Sequence, residues 1–413
     1  MNATNLAEPK KTVFCIGTIV FVLLLRACVS GAMGQSINLG VLTDMNGLYS
    51  ALSGEGSVEA ARMAVEDFGG KVLAKEIHVL AADHQHDVEI ATKIATGWFQ
   101  NDEVGVILDM PNSAVALAGQ QLAADRGKIS ITVSAATAEL TGRQCRETGF
   151  HWAWDTYSNT MNLVPSIVGF GLDTWFFITA DYAYGSSAEQ LASKAVGAAG
   201  GQVLGSVRHP LNAADFVPFV IAALESNAKV IALANAGGDT VNAIRQAAEV
   251  GVSSRSQTIA PVAVFISDIH TLGLDTAKGV VFIDSFYWDK DDETRRWSKR
   301  FFDRRGAMPT MAHAGVYSAA LHYLRAVQLA NSDDGKKVAA KMRELPVEDF
   351  FAKKGEVRAN GRMAHDMYLV QVKRPEESLY PWDYYRILRT IPGNIAFQPL
   401  AETGCPLVTD VTN

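Results

Sequence analysis

Short apolar runs that do not alternate in polarity, each followed by a stretch of helical spacing, constrain this chain of 413 residues more than any other feature. Ile37–Leu42, Ile77–Ala82, Val104–Asp109 and Ile129–Ser134 are candidate strands, and Val104-Gly-Val-Ile-Leu108 has no polar face at all. Runs of that kind suit strands buried on both faces of a parallel sheet. Between the first two, Val58, Ala61, Val65 and Phe68 recur at helical spacing, and Gly69-Gly70 closes the helix. The series then restarts. Trp175–Ala180, Gln202–Val207, Val230–Asn235, Val262–Ser267 and Val280–Asp284 form a second set of strands, with helices near Ser187–Gly197, Phe216–Ser226 and Thr240–Val250. A βα series that restarts predicts an α/β protein of two doubly wound, Rossmann-like lobes. From about Glu293 to Leu345 the pattern is helical, and strand-like runs return at Met367–Val372 and Tyr384–Ile391.

The N-terminus carries an address. Lys10 and Lys11 precede the apolar run Thr12–Leu25, which Arg26 cuts too short for a comfortable membrane span. Small residues at Ala32-Met33-Gly34 precede Gln35, so residues 1–34 read as a signal peptide and the protein as periplasmic. Leu25-Arg-Ala-Cys28 outlines a lipoprotein box, with lipid at Cys28 as the alternative processing, although an Arg is unwelcome there. Cys15 and Cys28 leave with the leader. The remaining pair, Cys145 and Cys405, is expected to form a disulfide in an oxidising compartment. The net charge of −7, with no dense cluster of Lys or Arg, excludes nucleic acid as a partner.

Ligands of open α/β sheets sit beyond the carboxyl ends of the strands, so the residues just after each run matter most. After the third comes Asp109-Met-Pro-Asn-Ser-Ala114, and after the fourth Ser134-Ala-Ala-Thr-Ala-Glu-Leu-Thr141. Such small, hydroxylated segments present backbone N–H groups and hydroxyls to an anion such as a carboxylate, or else simply cap the helices that follow. Asp181-Tyr-Ala-Tyr-Gly185, Asn235-Ala-Gly-Gly-Asp239 and Ser267-Asp-Ile-His270 hold the matching positions in the second half. Asp83-His-Gln-His-Asp87 has the residue types of a metal site, but Asp87 reads as the N-cap of the next helix. No metal or cofactor is expected.

Four segments in order, Gly47-Leu-Tyr-Ser-Ala-Leu-Ser-Gly-Glu-Gly56, Ala135-Ala-Thr-Ala-Glu-Leu-Thr141, Asp181-Tyr-Ala-Tyr-Gly185 and Ile244-Arg-Gln-Ala-Ala-Glu-Val-Gly251, resemble the Leu/Ile/Val-binding type of periplasmic solute receptors. The resemblance runs from about Ile37 to Leu345. It implies a type I periplasmic binding protein, a Venus-flytrap of two lobes joined by a three-strand hinge. Lobe 1 would comprise 35–155 plus 287–347, and lobe 2 156–286 plus 348–413. The resemblance implies Tyr49, Asn112, Ser113, Ala135, Ala136 and Thr137 from lobe 1 and Tyr184 from lobe 2 as ligand residues, and the post-strand positions add Ser134, Asn235, Ala236, Asp268 and His270 as candidates.

Two departures bear on the ligand. The family's amino-acid members place a Tyr where this chain has Ala236, and a Glu for the ammonium group where it has Ser267-Asp268. Either Asp268 takes that role or the ligand carries no ammonium. Ala236 would enlarge the site, while His270, Trp152 and Trp154 would add aromatic surface for a larger carboxylate; the alternative for Phe150–Asp155 is a hinge strand whose aromatics only pack. The implied function is a monomeric receptor that delivers a small carboxylate to an ABC permease and its ATPase. A periplasmic sensor is the alternative, and a hydrolase lacks a Gly-x-Ser-x-Gly elbow.

Overall fold

The computed structural model describes Met1, residues 36–252 and residues 257–408. The expected leader, its cleavage point and the lipid site at Cys28 lie outside these residues, Met1 apart. Among the described residues no helix is long and apolar enough to cross a membrane.

The first sheet contains β1 (Ile37–Thr43), β2 (Lys71–Val72), β3 (Lys75–Asp83), β4 (Val104–Asp109), β5 (Ile129–Thr132) and β6 (Gly149–His151), in the order β2-β3-β1-β4-β5-β6. All neighbours run parallel except the β2–β3 hairpin. Every residue of β1 is buried, as its unbroken apolar run requires. The crossovers are α1 (Gly54–Phe68), α2 (Val88–Gln100) and α3 (Ser113–Asp125). Asp87 caps α2 by accepting from Glu89 N and Ile90 N, and Gly69 ends α1 in the left-handed conformation.

After α4 (Thr156–Gly169) the second sheet is built from β7 (Thr174–Ala180), β8 (Gln202–His209), β9 (Val230–Ala234) and β10 (Thr258–Pro261), in the order β10-β9-β7-β8, all parallel. Its crossovers are α5 (Ala183–Ala198), α6 (Val217–Glu225) and α7 (Gly238–Glu249). One strand sits elsewhere than the sequence suggests: β10 ends at Pro261, and Val262–Phe265 is a buried irregular segment leading into α8 (Ile266–Leu272). A short helix α9 (Leu274–Ala277) precedes β11 (Val281–Asp284).

The chain then returns through α10 (Asp292–Arg305), α11 (Met311–Ala330) and α12 (Gly335–Glu344). Helix α11 packs on α1 and β4, so this helical block covers the first sheet. The strands β12 (Glu356–Val357) and β13 (Met363–Ala364) form a small hairpin, and β14 (Met367–Val372) and β15 (Tyr385–Ile391) join β11 in an antiparallel sheet.

Three segments carry the chain between the two sheet systems. The first, Trp152–Asp155, is clamped by the third, which runs between α12 and β14: Arg362 donates to the carbonyls of Trp152 and Trp154 and to the Asp155 carboxylate, while His365 Nε2 lies 2.9 Å from Ala153 O. Arg362 is only 2% exposed, so these acceptors replace the water a guanidinium would otherwise need. The second runs from Asp284 to the start of α10. Cys145 and Cys405 are bonded, with Cα atoms 5.7 Å apart and a sequence separation of 260.

Candidate functional site

In a doubly wound sheet the strand order reverses at one point, and the loops there splay apart at the carboxyl ends of the strands. The reversal falls between β1 and β4 in the first sheet and between β7 and β9 in the second. Loops from both points meet around one small, nearly filled cavity. Tyr49 and Leu52 follow β1, Pro111 and Ser113 follow β4, and Ser134 and Ala136 follow β5. Trp154 follows β6, Tyr182 and Tyr184 follow β7, and Ala236 follows β9.

The cleft is shut. The hydroxyls of Tyr49 and Tyr182 share a hydrogen bond across it, and Gly238 N donates to Leu48 O at 3.3 Å. Gly237 lets the two sides approach: at φ +61° it is in the left-handed region, and a Cβ there would lie 2.6 Å from Leu48 O and 2.9 Å from Tyr49 Cδ1. Thr156 Oγ1 and Ser187 Oγ add a contact of 2.9 Å.

The walls are aromatic and the polar groups are neutral. Trp154 meets the ring of Tyr184 edge-on at 6.0 Å, and its Nε1 donates to Ser134 O at 3.0 Å. Burial pushes the hydroxyls of Tyr49, Tyr182 and Tyr184 well above the ordinary phenol range, so all three remain protonated donors. Ser113 Oγ and Tyr184 OH are buried and have no hydrogen-bond partner among the described residues. Buried polar atoms normally find one, so these two are free to serve a guest.

Beneath this lining lies a carboxylate that sequence reasoning passed over. Asp109 ends β4 at φ +82°, a strained conformation for a non-glycine residue. It accepts from Thr43 Oγ1 at 2.7 Å and from Ser134 Oγ, and burial pushes its carboxyl up to about 6. The hydrogen bonds fix Ser134 at the cavity wall. Asp44, after β1, anchors the Tyr49 loop in the same way, accepting from Gly47 N at 2.6 Å and Tyr49 N at 2.7 Å and touching His86 Nε2 at 2.6 Å.

Of the expected site residues, Tyr49, Ser113, Ser134, Ala136, Tyr184 and Ala236 line the cavity. The others are not among the lining residues and have other partners. Asn112 caps α3 through Ala114 N and Val115 N, and Ala135 O lies 2.7 Å from His151 Nε2. Thr137 is buried at the start of a single 3₁₀ turn. Asn235 contacts His209 Nε2 at 3.1 Å and accepts from Thr240 Oγ1 at 2.8 Å. Asp268 accepts from Phe265 N at 3.0 Å, and burial pushes its carboxyl up to about 7. His270 stacks on Trp382 at 3.9 Å and contacts Tyr384 OH at 2.7 Å. Asp239 accepts from Asn212 N and Ala213 N, each at 3.1 Å. Trp152 is core, donating to Ser318 Oγ, whereas Trp154 reaches the cavity. Leu52, Pro111 and Tyr182 complete the lining without having been singled out. Tyr182 had a signal, since it and Tyr184 both directly follow a strand.

Comparisons with known proteins agree with this geometry. The family described as periplasmic binding protein matches residues 36–377. A periplasmic binding protein from Burkholderia mallei is 44% identical, with 91% of this chain and 100% of that one covered at a TM-score of 0.89. A branched chain amino acid ABC transporter periplasmic ligand-binding protein from Burkholderia xenovorans is 37% identical, covering 90% and 100% at a TM-score of 0.80. A solute binding protein of an ABC transporter from Rhodopseudomonas palustris, solved in complex with 3,4-dihydroxy benzoic acid, is 18% identical, covers 87% and 98%, and has a TM-score of 0.79. At that identity it shares the fold alone. The search of curated proteins gives no match. Two doubly wound sheets closing on one cavity, and a family match over most of the length, place this chain in the periplasmic binding protein family.

Proposed function

We propose that this protein is the periplasmic receptor of an ABC importer and that its ligand is a small aromatic acid without an ammonium group. The observation that carries this reading is the cavity lining: ten residues, four of them aromatic, and none acidic or basic. A carboxylate would find neutral donors there, the unpartnered Ser113 and Tyr184 hydroxyls first. An ammonium group would find no carboxylate in the lining, since Asp44, Asp109, Asp239 and Asp268 lie outside it and accept hydrogen bonds from other partners. Contacts from both sides stabilise the closed form over the open one, and the closed form is what a permease would recognise.

Isothermal titration with 3-phenylpropionate and phenylalanine tests the ammonium question, because the two differ only in that group; benzoate, 4-hydroxybenzoate, leucine and valine complete the set. Tighter binding of the plain acids, by tenfold or more, is the expected result. Preference for phenylalanine, leucine or valine would overturn it in favour of an amino-acid receptor like the Burkholderia xenovorans relative.

A further inference from the structure

The loop after β1 contains an Asn46-Gly47 pair, exposed and outside any helix or strand. Glycine has no side chain to shield its amide nitrogen. Here that nitrogen also donates to Asp44 Oδ1 at 2.6 Å, a short, charge-assisted bond that polarises the N–H. The Asn46 carboxamide is held only by an exposed contact of 3.3 Å to Asp83. Glycine is required at 47, since a Cβ would lie 2.7 Å from Asp44 Oδ1. The chain has a second such pair, Asn360-Gly361, in the opposite setting: Asn360 is buried, its Nδ2 donates to Thr141 O at 2.9 Å, and its Oδ1 accepts from Arg362 N at 3.2 Å.

We propose that Asn46 is a site of spontaneous deamidation that ages the ligand cleft, while Asn360 is protected. The Gly47 nitrogen attacks Cγ of Asn46, forming an N–Cγ bond as the Cγ–Nδ2 bond breaks. The Asp44 carboxylate, which already accepts from Gly47 N, takes the amide proton, and the departing nitrogen takes a proton from water and leaves as ammonia. Water then opens the succinimide ring at either carbonyl, giving aspartate or isoaspartate, and no oxidant or reductant takes part. The new carboxylate stands against Asp83, where like charges repel. Isoaspartate also adds a carbon to the main chain three residues before Tyr49. The chemistry does not depend on what the cleft binds; its effect on affinity rests on the reading of Tyr49 as a closing wall.

The test is peptide mass mapping of the intact protein incubated at mildly alkaline pH and body temperature, alongside a thermal shift with benzoate. The peptide carrying Asn46 should gain the mass of an amide-to-acid exchange while the peptide carrying Asn360 does not. N46S should abolish the gain, and N46D should bind benzoate about three- to tenfold more weakly. No gain at Asn46, or equal gains at Asn46 and Asn360, would overturn the proposal. A gain with undiminished binding in N46D would leave the modification standing and overturn the role of this loop as a ligand wall.

Discussion

The indole nitrogen of Trp154 donates to the carbonyl of Ser134 at 3.0 Å, so the segment leaving β6 and the loop after β5 are fixed against each other at the cavity wall. The same Ser134 is gripped from behind by Asp109. A ligand therefore meets a surface whose geometry is set before it arrives, and preorganisation of this kind lowers the ordering cost of binding.

Trp154→Phe keeps an aromatic ring and removes the N–H. Affinity for the best acid should fall by about three- to thirtyfold, equivalent to roughly one neutral hydrogen bond or slightly more. Titration calorimetry reads this directly, and the melting temperature should shift by only a few degrees.

Tyr182→Phe removes the hydrogen bond to Tyr49 across the cleft. The bond spans the cleft and opening would break it, so its loss should move the population toward the open form and weaken binding by about three- to tenfold. Small-angle scattering without ligand should show a larger radius of gyration than the parent. An unchanged radius with unchanged affinity would show that the bond does not hold the cleft shut.

Asp284 is 2% exposed, and burial pushes its carboxyl up to about 7 from an ordinary value of 3.8. Between those values the folded state holds a proton that the unfolded state has lost, so this group's contribution to stability falls as pH rises from about 4 to about 7. D284N lacks that dependence. Its stability relative to the parent should improve by roughly 2–4 kcal/mol between pH 4 and pH 8, measured by urea unfolding across that range.

The C145S/C405S double variant should lose about 2–4 kcal/mol of stability, since a bond closing so long a loop restricts the unfolded chain. Ligand affinity should not change, because neither cysteine lines the cavity. Urea midpoints and calorimetry separate the two effects.

Much of the fold was legible because parallel strands buried on both faces leave unbroken apolar runs, and these mark β1, β4, β7 and β9 closely. The tenth strand was displaced for a physical reason. Thr258–Pro261 contains a proline and reads as a break, whereas Val262–Phe265 is apolar because it is buried under α8, with no ladder of its own. In the site, residues that directly follow strands were found where the loop is short, as with Ser113, Ser134 and Tyr184. Asp268 and His270 lie outside the lining, and a linear sequence cannot show that one caps a helix and the other stacks on Trp382. Asp109 was missed for the converse reason: its partners Thr43 and Ser134 are distant along the chain.

The bond between Cys145 and Cys405 also imposes an order of events on the making of this protein. Cys405 leaves the ribosome 260 residues after Cys145, when the strands of both parallel sheets have already been made. Until then Cys145 lacks its native partner. Oxidation to the right pair is thus a late seal, and the ratio of sealed to open thiols in a preparation reports how many molecules completed their assembly.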